Sequence, residues 1–88
     1  MLASALGACE LSVLSSWAEH ARLDASGLAL EIAWSFADNP KRVGEIDVTI
    51  VWPSLPAERR SAAVRAAHLC AIHNTLSHPP TIRTEISA

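Results

Sequence analysis

The pattern of apolar residues in the first quarter of the chain predicts a helix that carries a cysteine. Apolar residues recur there at spacings of three or four, which places them on one helical face: Leu2, Leu6, Cys9, Val13 and Trp17. Glu10, Glu19 and Arg22 lie off this stripe. We expect the helix to end near Ala25, because Gly27 can adopt the left-handed conformation that closes a helix.

The next two segments alternate between large apolar residues and small or polar ones, which predicts two β-strands. The first covers residues 28–36 and the second residues 45–52, and the polar stretch 38–42 lies between them. They are predicted to form an antiparallel hairpin whose loop is longer than a tight two-residue turn. Trp34 and Trp52 end the apolar faces, so we interpret them as core or dimer-interface anchors rather than as ligand platforms.

A second helix is predicted to begin at Pro56, because a proline and an acidic residue both suit the first turn of a helix. We expect it to run to about His68 or Cys70. Its Ala63, Ala67 and Cys70 form a face of small side chains that permits close approach of another helix. Cys70 is therefore predicted to lie in a packed interface.

The C-terminal residues predict a short helix and a last strand. The short helix covers residues 71–76, and two prolines end it. Residues 81–86 alternate in polarity, which predicts a strand that joins the sheet of the hairpin. The sequence as a whole predicts one α+β domain over residues 1–88, in the order helix, strand, strand, helix, short helix, strand.

Composition and charge exclude two classes of partner and favour a third. The net charge is −2 and the only adjacent basic residues are two pairs, residues 41–42 and 59–60, so no basic stripe exists to bind nucleic acid. No apolar run approaches the roughly 20 residues that span a bilayer, and the N-terminal residues do not show the charged start and uninterrupted apolar core of a signal peptide. We expect a soluble, cytoplasmic protein. Its small core favours a partner subunit.

The two cysteines are far apart in sequence, and two roles are possible for them: buried thiols or a redox pair. In a chain without an export signal they are more often buried thiols or a redox pair than a structural disulfide.

The segments around the cysteines resemble the OsmC/Ohr family, the osmotically induced and organic-hydroperoxide-resistance proteins. The stretch LASALGAC, residues 2–9, is similar to the start of that family's central cysteine helix. The stretch RAAHLCAIHNTL, residues 65–76, is similar to its second cysteine helix. The resemblance covers essentially the whole chain. It implies an OsmC-like fold with two cysteine-bearing helices packed on an antiparallel sheet, of which this chain is the C-terminal portion without the N-terminal strands.

The resemblance also implies a peroxidase that uses Cys9 and Cys70 as its catalytic residues and needs no metal or cofactor. Cys9 would attack an organic hydroperoxide or hydrogen peroxide as a thiolate and become a sulfenic acid, and Cys70 would then form a disulfide with it. A dithiol of the lipoyl type would reduce the disulfide. The family forms homodimers with the cysteine helices at the centre, so a homodimer is implied here.

The chain departs from the family pattern at positions that affect the chemistry. The family's catalytic arginine and its glutamate partner have no matching positions, and Ala71 stands where the family often has proline. Because burial raises the pKa of a thiol, we expect another cation to compensate at Cys9. His68, His73 and Arg65 are the nearest candidates to Cys70 in sequence.

The sequence allows two alternatives to the peroxidase. Cys9 and Cys70 could be packed apolar residues inherited from a catalytic ancestor, in a non-catalytic module for dimerisation or small-ligand binding. Cys70, His73 and His78 could also contribute to a metal site, but the sequence offers no clear fourth ligand. We therefore favour the thiol pair over the metal site.

Overall fold

The computed structural model of the chain describes residues 1–87 and has an α+β architecture in which one long helix packs against a β-hairpin and two short helices. The elements are α1 (Leu2–His20), β1 (Ala29–Ala37), β2 (Arg42–Val51), a 3₁₀ turn (Ala57–Arg59), α2 (Arg60–Ala67) and α3 (Ala71–Ser77). The predicted helix, hairpin, second helix and short helix are confirmed. No helix within residues 1–87 is long and apolar enough to cross a membrane.

The end of α1 differs from the prediction. The helix stops at His20 and not near Ala25, because Arg22 adopts the left-handed conformation with φ 56°. Leu23 follows it, donates a 2.8 Å backbone hydrogen bond to a carbonyl near the end of α1, and packs against the core. Gly27 is also left-handed, with φ 76°, but it lies in the turn before β1.

The buried face of α1 is also displaced from the predicted stripe. Half of its six members are small: the face consists of Ala3, Leu6, Gly7, Glu10, Leu14 and Ala18. Small residues let the helix approach its neighbours closely, and a Cβ on Gly7 would overlap the Cδ1 atom of Ile32 in β1. Cys9, Val13 and Trp17 consequently lie at the edge of the buried face, and Leu2 is exposed. The prediction that Glu10 lies off the buried stripe was wrong.

The two strands pair in the predicted antiparallel manner, with apolar residues opposite each other at Leu30–Ile50, Ile32–Val48 and Trp34–Ile46. A bulge then shifts the register, so that Gly44 has no partner and Val43 lies opposite Phe36. The bulge thus keeps Val43 on the apolar face. The part of this face near the hairpin loop is uncovered, since Trp34 is 56% exposed and Phe36 66%.

The hydrophobic core lies where α1, α2 and the end of β2 meet. Its buried members are Leu14, Ala18, Trp52, Ala63, Ala66 and Ala67. The ring of Trp17 packs edge-on against Trp52, with 5.9 Å between the ring centroids. Trp52 also donates a 2.8 Å hydrogen bond from Nε1 to the carbonyl of Asp24, which fixes the loop after α1. Trp52 is therefore a core anchor, whereas Trp34 is not part of this core.

The predicted last strand is wrong for this structure. Residues 79–87 have no regular secondary structure, and Ile82 and Ile86 are 83% and 92% exposed. Alternation in polarity gives a segment two distinct faces, but a strand also needs a neighbour for its backbone hydrogen bonds. The described sheet contains only β1 and β2, so residues 81–86 pair with neither.

Replacing the buried Leu14 should destabilise the protein far more than replacing an exposed leucine on the same helix. Leu14 is completely buried, and Leu14→Ala should lower the free energy of unfolding by about 2–5 kcal/mol through lost burial and a cavity. Leu11→Ala, at a residue 36% exposed, should cost less than about 1 kcal/mol. Urea unfolding measures both, and equal losses would contradict the core assignment.

Candidate functional site

The fold brings the two cysteines together. Cys9 lies half-buried on α1, and Cys70 is completely buried immediately before α3. Helix α1 packs against both α2 and α3, so it faces the junction that carries Cys70. Both thiols are free, and their side chains are hydrogen-bonded to each other. The prediction that folding brings these two cysteines together is confirmed.

Cys70 owes its position to the break between α2 and α3. The chain ends α2 at Ala67, and Cys70 then takes an extended backbone conformation, with φ −59° and ψ 129°. Its Sγ atom accepts a 3.4 Å hydrogen bond from the backbone N–H of His73. Cys70 therefore caps the N-terminus of α3, a role usually filled by serine or aspartate.

The pKa of the Cys9 thiol is lowered from its ordinary value, chiefly because the Cys70 thiol donates a hydrogen bond to it. The backbone N–H groups of Ile72 and Ala71, in the first turn of α3, also donate to Cys9 and lower the pKa. Partial burial and the negative charge of Glu10 act in the opposite direction. Among the described residues, the groups that favour the thiolate are therefore hydrogen-bond donors.

The pKa of the Cys70 thiol is raised, first by burial and second by its hydrogen bond to Cys9. Donors from the backbone of His73 and Ile72 oppose this shift without cancelling it. The environment therefore drives the two pKa values apart. Cys9 is the member of the pair that ionises first, and Cys70 remains its protonated hydrogen-bond donor.

A buried carboxylate lies beside the thiol pair. Glu10 is only 3% exposed, its Oε1 atom is 3.5 Å from Nδ1 of His73, and its Oε2 atom has no hydrogen-bond partner. The ring of His68 stacks on that of His73, with 4.3 Å between centroids. Burial raises the pKa of Glu10, and the nearby His73 and His68 partly oppose this.

The sequence-based candidates for a compensating cation were only partly useful. His68 and His73 lie in the site, but they surround Glu10 and are not among the groups that lower the pKa of Cys9. Arg65 is exposed on α2. Glu10 and the backbone donors of α3 were missed. The spacing of Glu10, four residues from both Leu6 and Leu14, was the available signal for its burial.

The metal-site alternative is not supported by the described part of the chain. The His78 Nδ1 atom lies 3.3 Å from the carbonyl of Asn74, and His73 contacts Glu10. Within residues 1–87, no group of three or more histidine, cysteine, aspartate or glutamate side chains is placed to hold a metal ion.

A cavity of about 590 Å³ opens between β2 and α2 next to the site. Its walls are largely apolar, and its titratable lining residues are Glu10, His68 and Arg60. Neither cysteine is among the lining residues. The cavity therefore adjoins the carboxylate and not the thiols.

Comparison with known proteins places this geometry in a family. Residues 1–85 match the family described as OsmC-like protein. The chain belongs to the OsmC-like family. Its fold is similar to the crystal structure of a protein from Psychrobacter arcticus 273-4, which is named for osmotic stress induction and a detoxification response. The TM-score is 0.76 at 24% identity, and the match covers 84% of this chain.

The same match covers 55% of the Psychrobacter protein, so this OsmC-like chain spans about half of its length. A search of curated proteins found no match.

Removing the Cys70 thiol should raise the pKa of Cys9, because the largest contribution to the lowered pKa is the hydrogen bond from Cys70. Cys70→Ala removes the donor, whereas Cys70→Ser supplies a hydroxyl that can replace it. The pH dependence of Cys9 alkylation by iodoacetamide reports the pKa. The midpoint should move to higher pH in Cys70→Ala and move less in Cys70→Ser, and an unchanged midpoint in Cys70→Ala would contradict the assignment.

The raised pKa of Glu10 predicts a loss of stability with increasing pH. A carboxyl group whose pKa is raised by folding contributes stability at low pH, and this is lost as the pH rises through the raised value. Relative to Glu10→Gln, the wild type should therefore become less stable as the pH rises above about 4.5, the ordinary glutamate value. Urea unfolding of both proteins across this range measures the difference. A constant difference, or one of opposite sign, would show that Glu10 ionises without cost.

Proposed function

We propose that this OsmC-like protein is a thiol-dependent peroxidase that reduces organic hydroperoxides or hydrogen peroxide through Cys9 and Cys70. The observation that supports this most directly is the hydrogen-bonded thiol pair with pKa values shifted in opposite directions. A peroxidase of this type needs one thiol that ionises easily and a second one within reach.

In the first step, the Cys9 thiolate attacks the terminal oxygen of the hydroperoxide. The O–O bond breaks, Cys9 becomes a sulfenic acid, and the remaining alkoxide takes a proton from water to leave as an alcohol. The sulfur loses two electrons and the peroxide gains them. The N–H groups of Ala71 and Ile72 increase the thiolate fraction of Cys9, the role that the resemblance assigns to an arginine.

In the second step, Cys70 attacks the sulfur of the Cys9 sulfenic acid. A disulfide forms and water leaves, carrying the hydroxyl group of the sulfenic acid and the proton of the Cys70 thiol. An external dithiol, for which a lipoyl group is suitable, then reduces the disulfide and becomes a disulfide itself. The direct contact of the two thiols supports this step, because it protects the sulfenic acid from further oxidation.

We further propose that the protein acts as a cytoplasmic homodimer. The apolar face of the hairpin is uncovered at Trp34 and Phe36, and Ile82 and Ile86 are exposed on the C-terminal segment. Exposed large apolar side chains are typical of contact sites, and within residues 1–87 neither edge of the two-stranded sheet has a neighbouring strand. These features suit association with a second copy.

A second candidate function, small-ligand binding, is favoured by the cavity between β2 and α2. Its volume of about 590 Å³ lies within the usual range for small-molecule sites. Glu10 lines it and has a buried oxygen without a partner, which suits a hydrogen-bond donor on an apolar ligand. In this alternative the protein is a non-catalytic module and the cysteines are packing residues.

Stoichiometric peroxide treatment distinguishes the two functions. One equivalent of cumene hydroperoxide, added anaerobically to the reduced protein, should remove two thiols and give a Cys9–Cys70 disulfide detectable by mass spectrometry. Cys9→Ser should lose no thiol rapidly, and Cys70→Ser should retain a sulfenic acid on Cys9. A wild-type rate no faster than that of free cysteine would rule out the peroxidase and leave the binding module.

A further inference from the structure

We infer that Glu10 and His73 are positioning residues whose contact holds Cys70 against Cys9 and so determines how readily the two form a disulfide. The inference deepens the proposed thiol chemistry and rests on it. It concerns the geometry of the pair and not its reaction with peroxide.

The two residues connect the segments that carry the thiols. Glu10 directly follows Cys9 on α1, and His73 lies in the first turn of α3, three residues after Cys70. The 3.5 Å contact between Oε1 of Glu10 and Nδ1 of His73 therefore joins α1 to α3 beside the sulfur atoms. His73 also donates its backbone N–H to Cys70 Sγ. A displacement of His73 would thus move a donor of Cys70 directly.

Both members of this contact are packed by their surroundings. Glu10 is 3% exposed, and the His73 side chain is 29% exposed. The ring of His68 covers that of His73 in a nearly parallel stack, with 10° between the planes. The burial of Glu10 and the stacking of His68 on His73 thus limit the movement of both side chains, which suits residues that fix the position of their neighbours.

The burial of Glu10 is otherwise unfavourable. A carboxylate removed from water raises the free energy of the folded state, and one oxygen of Glu10 has no hydrogen bond to offset this. A glutamine or a leucine at this position would be less costly for stability alone. A role in holding α3 against α1 gives this carboxylate a function that compensates for its cost.

The equilibrium between the thiol pair and oxidised glutathione measures this positioning without peroxide. The Cys9 thiolate attacks one sulfur of glutathione disulfide and releases one glutathione thiolate. The Cys70 thiol then attacks the mixed disulfide at Cys9 and releases the second, so two protein thiols are oxidised and one glutathione disulfide is reduced. Because the second step is intramolecular, the equilibrium constant depends on how well Cys70 is held near Cys9.

The test compares Glu10→Met, which has similar length but no acceptor, with Glu10→Gln, which retains an oxygen acceptor for His73. Glu10→Met should lower the equilibrium constant about tenfold, whereas Glu10→Gln should remain within about threefold of the wild type. Glu19→Met, at an exposed glutamate of the same helix, is the matched control and should leave the constant unchanged. His73→Leu should lower it as Glu10→Met does, and the double variant should fall no further than either single one.

A constant for Glu10→Met equal to that of the wild type would overturn the inference, as would an equally large loss in Glu10→Gln or additive losses in the double variant. If urea titrations show that Glu10→Met does not fold, the equilibrium constants of His73→Leu and Glu10→Gln are compared instead. Failure of the peroxidase proposal is distinguishable, because it would leave the glutathione equilibrium of the wild type intact and abolish only the reaction with hydroperoxide.

Discussion

The close packing of α1 against its neighbours is the constraint on which the rest of the structure depends. Ala3, Gly7 and Ala18 supply the small half of this helix's buried face, and a Cβ at Gly7 would require the end of the Ile32 side chain to move. Close contact lets a short chain with few large side chains exclude water from its core. Helix α1 also packs against α3, and this contact brings Cys9 next to Cys70.

Within residues 1–87, hydrogen-bond donors are the groups that lower the pKa of Cys9. Three hydrogen-bond donors converge on Cys9, one from the Cys70 thiol and two from the backbone of α3. Such donors are oriented by the fold, so they need no reorganisation when the negative charge forms. Glu10 adds a negative charge nearby, which makes the arrangement of these donors more important. The electrostatics of the site thus depend on helix geometry more than on the net charge of its residues.

The sequence predicted the elements well where a single periodic pattern determined them. The hairpin and the short helix after Cys70 follow from alternation in polarity and from helix-breaking residues. The predicted face of α1 was displaced because Val13 and Trp17 were taken to mark the buried side, whereas Leu14, Ala18 and the polar Glu10 are the buried residues. The last strand was wrong because an alternating pattern does not specify a partner. The donors from Ala71 and Ile72 could not be predicted, since a backbone N–H belongs to every residue except proline.

The position of Ala71 has a consequence for the balance between the amount of thiolate and its reactivity. In the related proteins that the sequence resembles, proline often follows the second cysteine, and a proline there would keep the helix but provide no N–H for Cys9. Fewer donors leave a sulfur that ionises less at neutral pH but is more electron-rich, and therefore more nucleophilic, once it is ionised. Exchange between alanine and proline at this first-turn position would therefore change the thiolate fraction and the nucleophilicity of Cys9 in opposite directions, without altering either sulfur atom.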